Sequence, residues 1–201
     1  MRSNNTSQNI QNPVVPFTNG IKGFKRGARI EIHGTPIVGP NQFFCVELFS
    51  GQDIAFNLNA RFYANDNVLA LNSCQQGNWQ FEERHANPLM IGSRFEIKIT
   101  NKMSGFKIKI NGQKINFSHR ISAKSITMLG IRGDVQVTNV IMKKFDTSIV
   151  TYNSAPVVNA QGQSQPQPVI IIQQGENSDD RRQRRRRRMV FRALMGGVGH
   201  H

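Results

Sequence analysis

Apolar and polar residues alternate with a period of two through most of the first 146 positions. In SRFEIKIT, Phe95, Ile97 and Ile99 share one parity while Glu96, Lys98 and Thr100 share the other. GFKIKI repeats the pattern, with Phe106, Ile108 and Ile110 set against Lys107 and Lys109. Asn111-Gly112 follows, a pair suited to the positive φ angles of a type I′ turn, and Ile115 and Phe117 carry the returning strand. RIEIHG and NQFFCVELF predict earlier strands; SITMLGI and DVQVTNVIM predict later ones. No stretch of 13–146 combines a 3.6-residue period with helix caps. Short strands with one apolar face each must bury those faces against one another, so the pattern predicts an all-β sandwich of two sheets.

The alternation stops near residue 146. Beyond it, TSIVTYNSAPVVNAQGQSQPQPVIIIQQGENSDD is rich in Gln, Pro, Ser and Asn, and residues 1–12 are similarly polar. The expected organisation is a disordered N-terminus over 1–12, a folded domain over 13–146, a disordered linker over 147–180 and a basic tail over 181–201. With 201 residues the chain has room for one domain with a substantial core. Lys and Arg number 26 against 12 Asp and Glu, a formal charge of +14. Residues 147–201 hold eight arginines and three acids, whereas the first 146 residues hold 18 basic and 9 acidic groups. The domain is therefore basic in its own right, and such an excess points to anionic partners. No apolar run approaches the ~20 residues that cross a bilayer, and the N-terminus lacks the apolar core of a secretory signal. Cys45 and Cys74 make at most one bridge, which excludes a disulfide scaffold and argues against a cysteine-built zinc site.

The segment DIAFNLNARF carries unusual chemistry. Ile54, Phe56, Leu58 and Phe62 share the apolar parity, while Asn57, Asn59 and Arg61 share the other, about 7 Å apart per step. Amides form strands poorly, and the polar faces of the other strands use Lys, Glu and Thr. A carboxamide offers donor and acceptor together, as a neutral polyhydroxyl ligand requires. Further on come Asn72, at the end of VLALNS, and NWQFEER with the single tryptophan, Trp79, before Glu82, Glu83 and Arg84. An exposed indole is a platform for the C–H face of a pyranose, and paired carboxylate and guanidinium groups can clamp each other while bonding sugar hydroxyls. Strict alternation would point Trp79 away from Glu82 and Arg84, so this reading needs a turn or bulge between them.

DIAFNLNARF, NVLALNS and GNWQFEERHANP together resemble the galectin signature, His-x-Asn-Pro-Arg followed by Asn and then Trp-x-x-Glu-x-Arg. PFTNGIKGFKRGARIEIHGTP resembles the first strands of that family, and FEIKITNKMSGFKIKINGQKINFSHRI with ITMLGIRGDVQVTNV its later ones. The resemblance spans 13–146. It implies a jelly-roll sandwich of two antiparallel sheets that binds β-galactosides without metal, cofactor or catalysis. By position it implies that Asn59 and Arg61 bond the axial O4 of galactose, that Asn72 and Glu82 hold O6, and that Trp79 stacks on the ring. Glu82 and Arg84, with Arg61, would contact O3 of the neighbouring sugar. Asn57 stands where the family has His, Ala60 where it has Pro, and Gln80 where Gly is common. Asn57 reaches less far than His, and one neutral hydrogen bond lost or stretched costs ~0.5–1.5 kcal/mol, so the resemblance implies weaker binding or a shifted preference. It also implies a cytoplasmic protein exported without a signal peptide, with useful strength supplied by homodimerisation or avidity.

Arg181, Arg182, Arg184, Arg185, Arg186, Arg187 and Arg188 place seven guanidiniums in eight residues. Such a run is read as an attachment to polyanions, whether nucleic acid, acidic lipid, sulfated glycan or acidic protein, or as a nuclear import signal. The competing function is accordingly a galectin-fold interaction protein that has given up sugar and acts through basic surfaces. Glu82 and Glu83 are adjacent and point apart on a strand, poor geometry for a paired-carboxylate hydrolase. His33, His85 and His119 are scattered, no phosphate-binding glycine loop precedes a helix, and no nucleophile–His order stands out, so no enzyme activity is expected.

Overall fold

The computed structural model describes residues 6–22, 24–145 and 169–173. The strands are β1 (Thr6–Gln11), β2 (Phe17–Gly20), β3 (Arg29–Pro36), β4 (Phe43–Ser50), β5 (Asp53–Arg61), β6 (Val68–Gln75) and β7 (Asn78–Trp79). They continue as β8 (Glu83–Ala86), β9 (Phe95–Asn101), β10 (Gly105–Ile110), β11 (Gln113–Ser118), β12 (Met128–Gly133), β13 (Val135–Phe145) and β14 (Val169–Gln173). A single 3-10 turn, Ala123–Ser125, is the only helical element among the described residues.

The strands form two antiparallel sheets, the jelly-roll sandwich that the alternation called for. Sheet A runs β11-β10-β9-β3-β13-β1-β14; sheet B runs β2-β12-β4-β5-β6-β7, with β8 also paired to β6. Asn111 and Gly112 take φ of 47° and 90° at the β10–β11 turn, as the Asn-Gly pair predicts. The inward parities of both sheets meet in one core. Phe56 of sheet B packs against Phe106 and Phe117 of sheet A, with ring centroids 5.4 and 5.3 Å apart. Phe44 of sheet B stacks on Phe95 of sheet A at 5.3 Å. These cross-sheet ring pairs hold sheet B rigidly from behind.

The structure departs from the sequence reading at three places. Thr6–Gln11 lies in the stretch expected to be disordered, yet it forms a strand along β13. Its polar composition hid this because backbone pairing supplies the hydrogen bonds and only Ile10 is buried in the core. Val169–Gln173 lies in the expected linker and pairs antiparallel with β1, Ile10 facing Ile170 in register. A β-branched run meets the open edge of β1, whose backbone groups would otherwise lack partners. Third, pairing slips within β5 between Ile54 and Asn57, and on β4 between Leu48 and Phe49. Ala55 thereby takes a core position and Ile54 leaves the core cluster that its parity predicted for it.

Phe56 is fully buried between the sheets. Phe56→Ala should cost ~3–5 kcal/mol of unfolding free energy in urea titration; a loss below ~1 kcal/mol would mean that the cross-sheet ring pairs do not anchor sheet B.

Candidate functional site

The outward face of sheet B can be read as rows across its strands. One row is Met128, Phe49, Ile54, Cys74 and Trp79, on β12, β4, β5, β6 and β7. The next is Gly130, Glu47, Asn57 and Asn72. A third is Arg132, Cys45, Asn59, Ala70 and Arg84, and beyond it Phe43 faces Arg61. The slip in β5 sets this arrangement. It lets Ile54 and Asn57 share the outward face although they are three residues apart, so Asn57 comes to stand opposite both Glu47 and Asn72. Asn57, Asn59, Arg61, Asn72, Trp79 and Arg84 therefore lie on one sheet face.

Glu82 joins them through the chain between β7 and β8. β7 ends at Trp79, the next three residues have no regular structure, and β8 begins at Glu83. This is the break in alternation that a shared site requires. Arg120 braces the segment from the side: its guanidinium donates to the Phe81 carbonyl at 2.7 Å, to Glu83 Oε1 at 2.8 Å and to Asn72 Oδ1 at 3.1 Å, and lies over the Phe117 ring. Asn72 donates in turn to the Gln80 carbonyl at 3.0 Å. Trp79 is 53% exposed, so the indole face is open to a ligand.

Four charged groups form a closed ring on the same sheet face, with Arg84 two register rows from Trp79. Arg61 donates to Glu82 Oε2 at 2.6 Å, to Glu82 Oε1 at 3.2 Å and to Asp66 Oδ2 at 3.1 Å. Arg84 donates to Glu82 Oε1 at 2.8 Å and to Asp66 Oδ1. Each carboxylate thus bridges two guanidiniums, which fixes planar groups that would otherwise sample many rotamers. The Arg61 guanidinium, with help from Arg84, holds the Asp66 carboxyl below the ordinary carboxylate range. Asp66 sits in a tight turn whose amide donates to the Tyr63 carbonyl. Sequence reading did not single it out, because nothing in NARFYANDN marks one acid as reaching back to a strand.

A second cluster lies beside the amides, on β4 and β12. Asn57 is buried and its Nδ2 donates to Glu47 Oε1 at 2.9 Å. Arg132 grips the same carboxylate with two bonds, 3.0 and 3.1 Å, while lying over the Phe43 ring. Glu47 is one charge in the apolar run FFCVELF and is buried there, and that incongruity was the available signal. Cys45 is buried beside it, and burial pushes its thiol up to about 11, so it is not a reactive nucleophile. Asn59 buries Oδ1 without a partner, which leaves Nδ2 as the atom open to a ligand. Cys74 is also buried and neither cysteine is bridged. The seven arginines of the tail, Arg181 to Arg188, lie outside the described residues, as do 147–168 and 174–201 generally.

An exposed indole, a row of amides and a preset ring of donors and acceptors on one sheet face offer the groups a neutral polyhydroxyl ligand requires, and the fold is a two-sheet β-sandwich. Among the described residues no His, Cys, Asp and Glu side chains cluster as metal ligands, and no helix is long and apolar enough to cross a membrane. The family model for galactoside-binding lectins matches residues 16–142, and the chain belongs to that family. It is a lectin fold, not an enzyme. A probable galaptin of Caenorhabditis elegans, lec-8, is 30% identical over 142 residues, covering 70% of this chain and 78% of the relative. Galectin-4 of Bos taurus is 35% identical over 139 residues, but this chain spans only 42% of its length. Among solved structures, Caenorhabditis elegans galectin LEC-6 superposes with a TM-score of 0.63 at 27% identity, over 67% of this chain and 94% of that one. A double variant of human galectin-16 gives 0.60 at 26% identity, over 67% and 99%.

The pull on Asp66 has a definite sign. Its folded pKa lies below the ordinary 3.8, so the ring contributes fully above that pH and is lost as pH falls through the lowered value. NMR titration should place the Asp66 midpoint below 3.8, and Arg61→Met should raise it; a midpoint indifferent to Arg61 would contradict the ring.

Proposed function

We propose that sheet B binds β-galactoside glycans, with Trp79 stacking on the galactose ring and the polar groups around it reading its hydroxyls. The observation that carries this reading is the exposed Trp79 on the same sheet face as the Arg61–Glu82–Arg84–Asp66 ring. In that ring the guanidiniums are oriented before any ligand arrives, so binding orders few side chains. Arg61 and Asn59 Nδ2 then donate to the axial O4, and Glu82 with Asn72 holds O6. Asn72 uses one amide N–H on the Gln80 carbonyl and keeps the other for a ligand. Arg84 and Glu82 face the O3 of the following sugar.

Asn57 sets the strength. One N–H of its Nδ2 is engaged by Glu47, so its second N–H and its carbonyl oxygen remain for O4, and the buried side chain reaches less far than the family's His. The site is shallow, so single-site affinity is modest and clustering of copies supplies avidity. Any such pairing through sheet A must contend with β14, which occupies the outer edge of β1.

The same burial of Asn57 favours the second reading, a galectin-fold protein that acts on polyanions through its basic surfaces and the tail, including in the nucleus. A glycan array with lactose competition separates the two. Binding inhibited by lactose and weakened at least about tenfold (~1.4 kcal/mol) by Trp79→Ala supports the lectin; no lactose-sensitive binding removes it. If the tail attaches to polyanions, replacing Arg184 to Arg188 by Gln should flatten the salt dependence of heparin retention; an unchanged slope would leave the tail without that role.

A further inference from the structure

The outward face of sheet A carries a charge arrangement that the fold does not need. In the register of β9, β10 and β11, Lys109 faces Lys98 on one side and Lys114 on the other. Strands lie about 4.8 Å apart, so three ammonium-bearing stems stand side by side across the sheet. Lys107 lies about 7 Å further along β10, opposite Thr100, and Thr100 in turn faces Arg29. Directly opposed like charges destabilise a sheet, and opposite-charge pairs were equally accessible to sequence.

Local neutralisation does not account for the cluster. Lys98 pairs with Glu96 at 2.7 Å, while Arg29 and Lys143 share Glu31 at 2.6 and 3.1 Å. All of these acids lie on β3 and β9. The hairpin from Gly105 to Ser118 contains Lys107, Lys109 and Lys114 and no acidic residue. Among the described residues none of these three lysines has a carboxylate partner. Protection of an exposed strand edge explains a lysine on β11, the edge of sheet A, but not two on β10, which is paired on both sides.

We propose that Lys98, Lys107, Lys109 and Lys114, with Arg29, form a second binding site on the sheet opposite the sugar site, and that its occupant is a linear sulfated polysaccharide. Charge complementarity selects a polymer whose anionic groups recur every few ångström. The surface selects among such polymers. The outward positions of β9, β10 and β11 are Glu96, Lys98, Thr100, Lys107, Lys109, Lys114, Asn116 and Ser118 beside the glycine. They offer no aromatic ring on which bases of a single-stranded nucleic acid could stack, and no apolar side chain to enter a bilayer. A lattice of ammonium groups, with threonine and asparagine between them, suits sulfates and hydroxyls on an extended chain. This site stands whether or not sheet B binds galactosides, and it lies in the folded domain, apart from the arginine tail.

The test uses the full chain with Arg181, Arg182 and Arg184 to Arg188 replaced by Gln, so that the tail does not mask the domain. A size-defined heparin oligosaccharide should still bind with marked salt dependence. Adding Lys107→Gln, Lys109→Gln and Lys114→Gln should weaken it at least tenfold and reduce the log–log salt slope by about 2. The melting temperature should hold or rise, because removed charges repelled one another, and any lactose binding should be unchanged. Lys109→Glu alone serves as a second variant should the triple change fail to fold, and should weaken heparin binding by itself. Unchanged affinity and slope would overturn the site. Tighter binding of a single-stranded oligonucleotide, or of phosphatidylserine vesicles, with the same sensitivity to these lysines would overturn the assignment to a sulfated polysaccharide.

Discussion

The sharing of two carboxylates between two guanidiniums is the constraint around which the candidate site on sheet B is arranged. Arg61 comes from β5, Arg84 from β8, Glu82 from the segment between β7 and β8, and Asp66 from the turn before β6. No backbone ladder links all four elements, so the side-chain ring does. Single surface ion pairs contribute little, because solvent screens them and ordering long side chains costs entropy. A closed ring differs in that each group is already held by a second partner. Its main consequence is geometric: Glu82 cannot swing away without breaking its bonds to both Arg61 and Arg84, so the chain between β7 and β8 is tied to the sheet face that also carries Trp79.

The second cluster, Arg132–Glu47–Asn57, shows how neighbouring strands set the orientation of one amide on the sheet face. Arg132 makes Glu47 tolerable as a buried charge by matching it with two bonds, and Glu47 in turn orients the Asn57 amide. A neutral amide then stands where the related family pattern has an imidazole. The two sheets also divide the electrostatics. Sheet B balances the charges of its outward face in pairs and rings. The β10–β11 hairpin of sheet A leaves lysines unbalanced on the opposite face.

Much of this was legible before the fold was known, because alternation and turn chemistry are local. The alternating runs marked the strands of the sandwich, Asn111-Gly112 marked its hairpin, and the spacing of Trp79, Glu82 and Arg84 demanded the break that the chain makes after β7. What misled was also local. Thr6–Gln11 looked too polar to fold, since its order comes from a neighbouring strand rather than from its own side chains. VIIIQ was hidden in a linker composition, since an open edge that could receive it is not a property of the segment.

Apart from Ile54 and Ala55 at the slip in β5, the amino-acid sequence by itself determined which strand residues face in, which face out, and which chemical groups the polar faces would offer, because a period of two is written residue by residue. Only the tertiary structure decided which of those groups meet. Unbroken pairing from Ser50–Asp53 would have set Glu47 against Phe56; the slip between β4 and β5 set it against Asn57 instead. Asp66, Arg120 and Arg132 reached the site from a turn, a loop and a strand that are remote along the chain. Register and long-range contact depend on how two sheets settle against a shared core, and that balance is struck only when the whole chain has packed.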